Sequence, residues 1–325
     1  MTPSVVHVRA PARLHLGFVD LHGGLGRRFG SIGLAITGLD TEVAAQRAAT
    51  GVFEVVGLEP ERAQKAAQTT LAWLQESGGL RLEVSAVAPG HAGLGSGTQL
   101  GLAVACAVTT AYAREVSARS LAPIVGRGVR SGIGVAVFEG GGMLVDGGRG
   151  LDGPLAPVLS RLDFPPAWRV VLIFDGAHQG LHGTAERTAF ASLPPMPEGD
   201  AAALARWCLV GLLPALAERD FAGFSTAVAE IQARIGAYFA PAQGGTAYTS
   251  ARVATAVAAI RAEFNLPGVG QSSWGPTAFI FAPSAAVADE IRRFGEARQT
   301  HGSSLRFQTV TGCNHGAIIE SRIDS

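Results

Sequence analysis

Apolar and polar positions along this chain follow two periods, and the change from one to the other marks its elements. In GLRLEVSAV, residues 79–87, apolar side chains fall at every second position, as in a strand with one buried face. Val, Ile, Leu and Thr also crowd 5–21, which reads as strand, turn and strand, and 32–56, which has further strand character. Residues 61–76 have helical spacing. No charge occurs from 92 to 113, so 97–115 predicts a helix that is apolar all round, the kind found in a core. The first third of that uncharged run is Gly, Ser, Thr and Gln, and its aliphatic part falls well short of the ~20 residues a membrane span needs. Burial is therefore expected, with no membrane partner. LAPIVGRG, 121–128, reads as a short helix stopped by glycine.

Glycine then dominates GRGVRSGIGVAVFEGGGMLVDGGRG, 126–150, which implies tight turns and close backbone approach. Pro154, Pro157, Pro165 and Pro166 mark a linker-like stretch before a fresh strand, WRVVLIFDG. A lobe boundary near 165 follows, with one lobe over 1–165 and a second over 166–325. Beyond LPPMPEGD, helical segments cover 200–264. A second glycine-rich loop, GVGQSSWGPT, precedes the strand AFIFA, and a helix over 284–298 and two strands close the chain. Strands and helices mix without regular βαβ alternation, so the fold class is α+β.

Composition narrows the function. Hydrophobic residues make up 47% of the 325 and charged residues 16%, enough for a sizeable core. Acidic and basic residues balance at 26 each, which argues against a nucleic-acid partner. Lys65 is the one lysine, so every other basic residue is arginine. That excludes a lysine-dependent phosphate loop and leaves bidentate arginine contacts for anions. Cys106, Cys208 and Cys313 are widely spaced in apolar settings, as reduced thiols of a cytoplasmic protein would be. The opening MTPSVVHVRAPARLHL lacks the apolar core of a signal peptide.

The stretch APGHAGLGSGTQLGLAVACAV, 88–108, runs from a glycine loop straight into the apolar helix. Gly93, Gly95 and Gly97 free backbone N–H groups to converge on an anion, and a helix N-terminus adds unpaired donors. Ser96 and Thr98 add hydroxyls for phosphate or Mg²⁺. A Walker loop is excluded by the missing lysine, a dinucleotide fingerprint by Thr98 in the third glycine's place, and a hydrolase elbow by Leu94. A tight strand-to-helix turn without a ligand remains the plain alternative.

Three separated stretches, APARLHLGFVDLHGG, PGHAGLGSGTQLGLA and GVGQSSWGPTAF, resemble in order the three motifs of the GHMP superfamily of small-molecule kinases. The resemblance implies a two-lobed GHMP-kinase-like fold, with an N-terminal lobe of ribosomal-protein-S5-like type and a C-terminal ferredoxin-like α/β sandwich. Gly97 replaces the second serine of the superfamily's loop. In RSGIGVAVFEGGG, Gly134 stands where the mevalonate-kinase branch carries an aspartate that helps deprotonate the attacking hydroxyl. GLGSGTQ, GRGVRSGIGVAVFEGGGMLVDGG and GQSSWGPT together resemble a branch that is not a kinase, the β-ribofuranosylaminobenzene 5′-phosphate synthases.

That resemblance implies a decarboxylating pentosyltransferase. It would join phosphoribosyl pyrophosphate to 4-aminobenzoate or 4-hydroxybenzoate, release CO2 and pyrophosphate, and serve methanopterin-type one-carbon carriers. A homodimer and Mg²⁺ are expected on the same ground. The chemistry asks for donors around the leaving pyrophosphate, which Gly93, Gly95, Ser96, Gly97, Thr98 and Gln99 suit. It asks for cations at the 5′-phosphate and carboxylate, for which Arg13, Arg27, Arg28 and Arg130 are candidates. It asks for negative charge near ribose C1, for which Asp20 is the first choice and Asp146 the second; Asp20, with Ser96, is also the candidate Mg²⁺ ligand, and Arg28 joins the two aspartates as catalytic. Ser272, Ser273 and Thr277 offer hydroxyls to phosphate or carboxylate, and Trp274 offers a face to the benzoate ring. The rival reading makes Asp20 a turn cap, the arginines ion-pair partners and Trp274 a core residue. An ATP-dependent GHMP kinase and a non-catalytic phosphoribosyl- or nucleotide-binding module are the alternative functions.

Overall fold

The structure is a computed structural model and describes residues 5–128, 131–150, 153, 155–178, 180, 183–300 and 302–322. Two long strands, β1 (Val5–Asp20) and β2 (Arg27–Ala48), pair antiparallel and form the spine of the first lobe. The strand, turn and strand expected over 5–21 is instead one strand. Its register shifts between Ala10 and Ala12, where Pro11 has no N–H to give, and between His15 and Gly17, so bulges absorb the irregularity without a turn.

β3 (Phe53–Gly57), α1 (Pro60–Leu74) and β4 (Gly79–Ala86) follow, and β3 and β4 run parallel with α1 as their crossover. α2 (Ser96–Ala111) has thirteen of its residues buried, among them Leu100, Leu102, Val104 and Val108, as its uncharged sequence predicts. It packs with α1 against Val6, Val8, Val43, Leu80 and Leu82 of the sheet. α3 (Ala118–Ile124) and α4 (Ile133–Gly140) lead to β5 (Met143–Asp146), β6 (Arg149–Gly150) and β7 (Val158–Leu162); β5 and β6 pair with β2, and β7 with β5.

The chain then enters a second sheet, in the order β11-β8-β10-β9: β8 (Arg169–Asp175), β9 (Val269–Gln271), β10 (Ala278–Ala282) and β11 (Leu305–Val310). Its helices are α5 (Gly183–Ser192), α6 (Glu198–Trp207), α7 (Leu213–Glu218), α8 (Phe221–Phe239), α9 (Ala251–Phe264) and α10 (Ala285–Ala297). One turn of π-helix, Cys208–Leu212, joins α6 to α7. The run Glu198–Glu218 is long and apolar enough to cross a membrane by length and composition alone. Its Leu204, Cys208, Leu212 and Leu216 lie in the core beside β1.

The last strand, β12 (Ile318–Arg322), leaves the second lobe and pairs with β1. One apolar cluster spans both lobes, from Leu14, Leu16, Leu34 and Ile36 to Leu172, Phe224, Ile231, Phe279 and Phe281. Burial of each such side chain is worth roughly 1.5–3 kcal/mol, so the wedge between the lobes is fixed by packing. The glycine loops meet in that wedge.

Candidate active site

Gly93 and Gly95 lie in the left-handed region, with φ of 80° and 75°, where a side chain would be strained. Space forbids one as well. A Cβ on Gly93 would lie 2.0 Å from the carbonyl oxygen of Ser272, and a Cβ on Gly275 would lie 2.4 Å from the nitrogen of Gly93. The first glycine loop and the second are therefore packed backbone on backbone. Ser272, fully buried, ties three stretches together: its hydroxyl donates to the Gly93 carbonyl at 2.8 Å and accepts from the backbone N–H of His15 at 3.0 Å. Ser273 N–H donates to the His15 carbonyl, and Arg13 Nη1 donates to the Gly93 carbonyl at 2.7 Å.

A cavity of about 200 Å³ opens where these stretches meet. Arg13, Arg127, Thr98, Ser131 and Ser273 give its lining cationic and polar groups, and Phe18, Phe190 and Trp274 give it aromatic ones. Trp274 is 3% exposed, held edge-on by Phe190 and Phe239 at ring distances of 5.2 and 4.7 Å, and its indole N–H has no acceptor among the described residues. Burial, and then the neighbouring Arg62 charge, press the Arg127 guanidinium below its usual pKa. Its Nε–H is buried without an acceptor among the described residues.

Of the residues expected at the site, Arg13, Thr98, Ser273 and Trp274 line this cavity. Ser96 opens α2 beside them, and Gln99, fully buried, donates to the Gly134 carbonyl at 2.8 Å. Thr277 is buried behind the second loop, its carbonyl accepting from Ser272 N–H. Gly134 fits tightly: a Cβ there would lie 2.8 Å from Cγ2 of Thr98, so the position where the kinase pattern has an aspartate is taken up by a close contact between α4 and α2.

Asp20, Arg27, Arg28 and Asp146 do not line the cavity. Asp20 Oδ1 accepts from the N–H groups of His22 and Gly23 and so closes the turn after β1. Arg27 donates to the carbonyls of Gly147 and Gly148. Arg28 borders a neighbouring groove of about 300 Å³ with Phe29, Tyr238 and the shared Phe190. Asp146 is wholly buried and accepts from the N–H groups of Ser31, Gly132 and Gly148 and the Ser131 hydroxyl; burial raises its pKa and those bonds oppose the rise. Arg130 lies outside the described residues.

Two residues escaped the sequence reading. Arg127 sits in GRG within a motif stretch, where flanking glycines signal an arginine at a turn. Arg62, half-way through the first turn of an ordinary amphipathic helix, carries no such signal; it pairs with Glu59 at 3.1 Å and reaches Gly97. The donors do not fit a resident Mg²⁺: no carboxylate lines the cavity among the described residues, and no group of three His, Cys, Asp or Glu among them could hold a metal.

The family model of the GHMP kinases N-terminal domain matches residues 61–142, the stretch holding Arg62, the first glycine loop and Gly134. A β-ribofuranosylphenol 5′-phosphate synthase of Archaeoglobus fulgidus is 33% identical over 97% of this chain and all of its own length. The chain belongs to the β-ribofuranosylphenol 5′-phosphate synthase family. A second member, from Methanothermobacter thermautotrophicus, is 34% identical over 69% of this chain and 74% of its own. Among solved structures, mevalonate diphosphate decarboxylase from Staphylococcus aureus superposes with a TM-score of 0.67, at 15% identity and 98% coverage of both chains. Homoserine kinase from Cytophaga hutchinsonii gives 0.63 at 17% identity, again covering 98% of each. Both likenesses are of fold, and they place this β-ribofuranosylphenol 5′-phosphate synthase family member on the two-lobed α+β GHMP scaffold.

Proposed function

We propose that this protein is a decarboxylating pentosyltransferase that joins phosphoribosyl pyrophosphate to a 4-substituted benzoate. The observation that carries the reading is that one cavity is lined by both arginines and aromatic rings, with Gly134 packed on Thr98 where a kinase would need a base. The C1–oxygen bond of the sugar breaks and its electron pair leaves with pyrophosphate. The ring carbon bearing the carboxylate donates a π pair to C1. The carbon–carboxylate bond then breaks, CO2 departs, and its pair restores the aromatic ring. The 4-hydroxyl or 4-amino group feeds electrons to that ring carbon.

Arg13, Arg127 and the start of α2 suit the growing charge on the leaving group, since donors already fixed in place need no reorganisation. Phe18, Phe190 and Trp274 suit the benzoate ring and shield the cationic sugar carbon from water. Mg²⁺ belongs in this reading to the substrate, as the counter-ion of the diphosphate. The relatives' names, which specify a phenol, favour 4-hydroxybenzoate over 4-aminobenzoate as acceptor. The product is an early intermediate of methanopterin-type one-carbon carriers. A cytosolic site of action agrees with the three free cysteines; burial pushes Cys106 and Cys208 up to about 11 and about 12, leaving neither as a thiolate nucleophile.

The test supplies the protein with phosphoribosyl pyrophosphate, Mg²⁺ and carboxyl-labelled 4-hydroxybenzoate, and counts released CO2. Release that needs both substrates, faster than with 4-aminobenzoate, is expected. No release from folded protein with either acid overturns the reading.

A further inference from the structure

Gly97 is the second residue of α2, and its backbone is ordinarily helical. A Cβ built there would lie 2.4 Å from Nη2 of Arg62 and 3.0 Å from Nη2 of Arg127. Two guanidinium tips thus reach the same point on the mouth of the glycine loop. They come from different elements, Arg62 from α1 and Arg127 from the turn after α3. Arg62 has one carboxylate partner, Glu59, and the pair is about one-third exposed. The Arg127 guanidinium has no hydrogen bond or ion pair to any described residue, although its Nε is buried. Two cations brought together without a bridging carboxylate repel each other, so the folded chain holds them there at a cost that an anion would remove. The side chain missing at Gly97 makes the approach possible; the serine that stands there in the GHMP loop pattern would collide with both tips.

We infer that Arg62 and Arg127 clamp a diphosphate from the side of α2 that Gly97 leaves open, and that Gly97 sets the specificity for such a group. The inference rests on the proposed pentosyl transfer for its choice of the sugar-linked diphosphate as ligand. Planar guanidiniums bind phosphate oxygens in pairs, and two of them at one point span two phosphoryl groups better than one. Orthophosphate would engage only part of the clamp.

The experiment measures binding of inorganic pyrophosphate and orthophosphate by calorimetry to the wild-type chain, Arg62→Gln, Arg127→Gln and Gly97→Ser, with the melting temperature of each. The expected result is at least tenfold weaker pyrophosphate binding in all three variants and less than a threefold change for orthophosphate. Arg127→Gln should melt at the wild-type temperature or above, because it removes a repulsion; a merely structural arginine would melt lower. Unchanged pyrophosphate binding in folded Arg62→Gln and Arg127→Gln overturns the clamp. So does equal loss of both anions. The two readings fail separately. Arginine-dependent pyrophosphate binding without CO2 release keeps the clamp and removes the transferase, and ADP is then titrated to ask whether a nucleotide supplies the diphosphate. CO2 release with pyrophosphate binding indifferent to both arginines does the reverse.

Discussion

Two buried aspartates show how context decides what a carboxylate does. Asp175, at the end of β8, is desolvated, which by itself would raise its pKa. The Ser250 and Ser304 hydroxyls at 2.6 Å, the Ala177 N–H and Arg252 outweigh that and hold it down to about 2, against an ordinary 3.8. A depressed carboxylate stabilises the fold above its unfolded pKa and loses that contribution as pH falls through its folded one. Asp175 should therefore supply about 2 kcal/mol at pH 7, lost between about pH 4 and pH 2. Urea unfolding across that range should show the decline, and Asp175→Asn should flatten it. Asp146 titrates in the opposite sense, since burial raises its pKa. In the sequence the two look alike, each ending an apolar strand before glycine. Their partners come from 31, 132, 250 and 304, distances along the chain that no local pattern reports. Arg62 was hidden for the same reason. Asp20, whose turn-capping bonds come from His22 and Gly23, two and three residues on, was readable either way from VDLHGG.

At the scale of elements, the glycine loops were legible because their composition has few physical uses. Alternating glycines before an apolar helix meant positive φ and close approach, and Gly93 and Gly95 show both. What the loop approaches was not legible. Gly93 faces the backbone of Ser272 and Gly275, while Gly97 faces the guanidinium tips of Arg62 and Arg127. The two glycines therefore predict different failures. Gly275→Ala would put a methyl 2.3 Å from the carbonyl carbon of Ala92 and 2.4 Å from the nitrogen of Gly93, with only backbone to give way. Its backbone φ is not left-handed, so the cost is purely one of space. We expect a loss of about 1–3 kcal/mol in stability, the range for overpacking a close-packed contact, and a fall in kcat/KM of at least a hundredfold as the two loops part. Chemical denaturation and steady-state kinetics on the one variant check both. Gly97→Ser, by contrast, should leave stability almost untouched.

At the scale of the whole molecule, the change of sheet falls at Pro165 and Pro166, between β7 and β8, yet the lobes do not share out the core. Leu14, Leu16, Ile32, Leu34 and Ile36 of the first lobe are at most 2% exposed. They belong to one cluster with Leu172, Phe224, Ile231, Phe279 and Phe281 of the second. Periodicity could show that β1 and β2 have apolar faces; it could not show that their partner lies two hundred residues on. Nor could it show that β12, whose five residues are all exposed, returns to β1 for its backbone bonds. Consider a fragment of residues 1–165. It keeps the cluster around α2, but it turns the five side chains just named toward water, along with Phe18. At roughly 1.5–3 kcal/mol for each, the loss matches or exceeds the 5–15 kcal/mol by which a domain is stable at all. The fragment should therefore lack cooperative unfolding and bind hydrophobic dyes when expressed alone. Co-expression with 166–325 should restore a single transition and, because the cavity is walled by Arg13 and Thr98 from one piece and by Ser273 and Trp274 from the other, should restore CO2 release in the same step. Independent folding of 1–165 with a sharp melt would show that the first lobe's own core suffices and that the shared cluster is surplus to it.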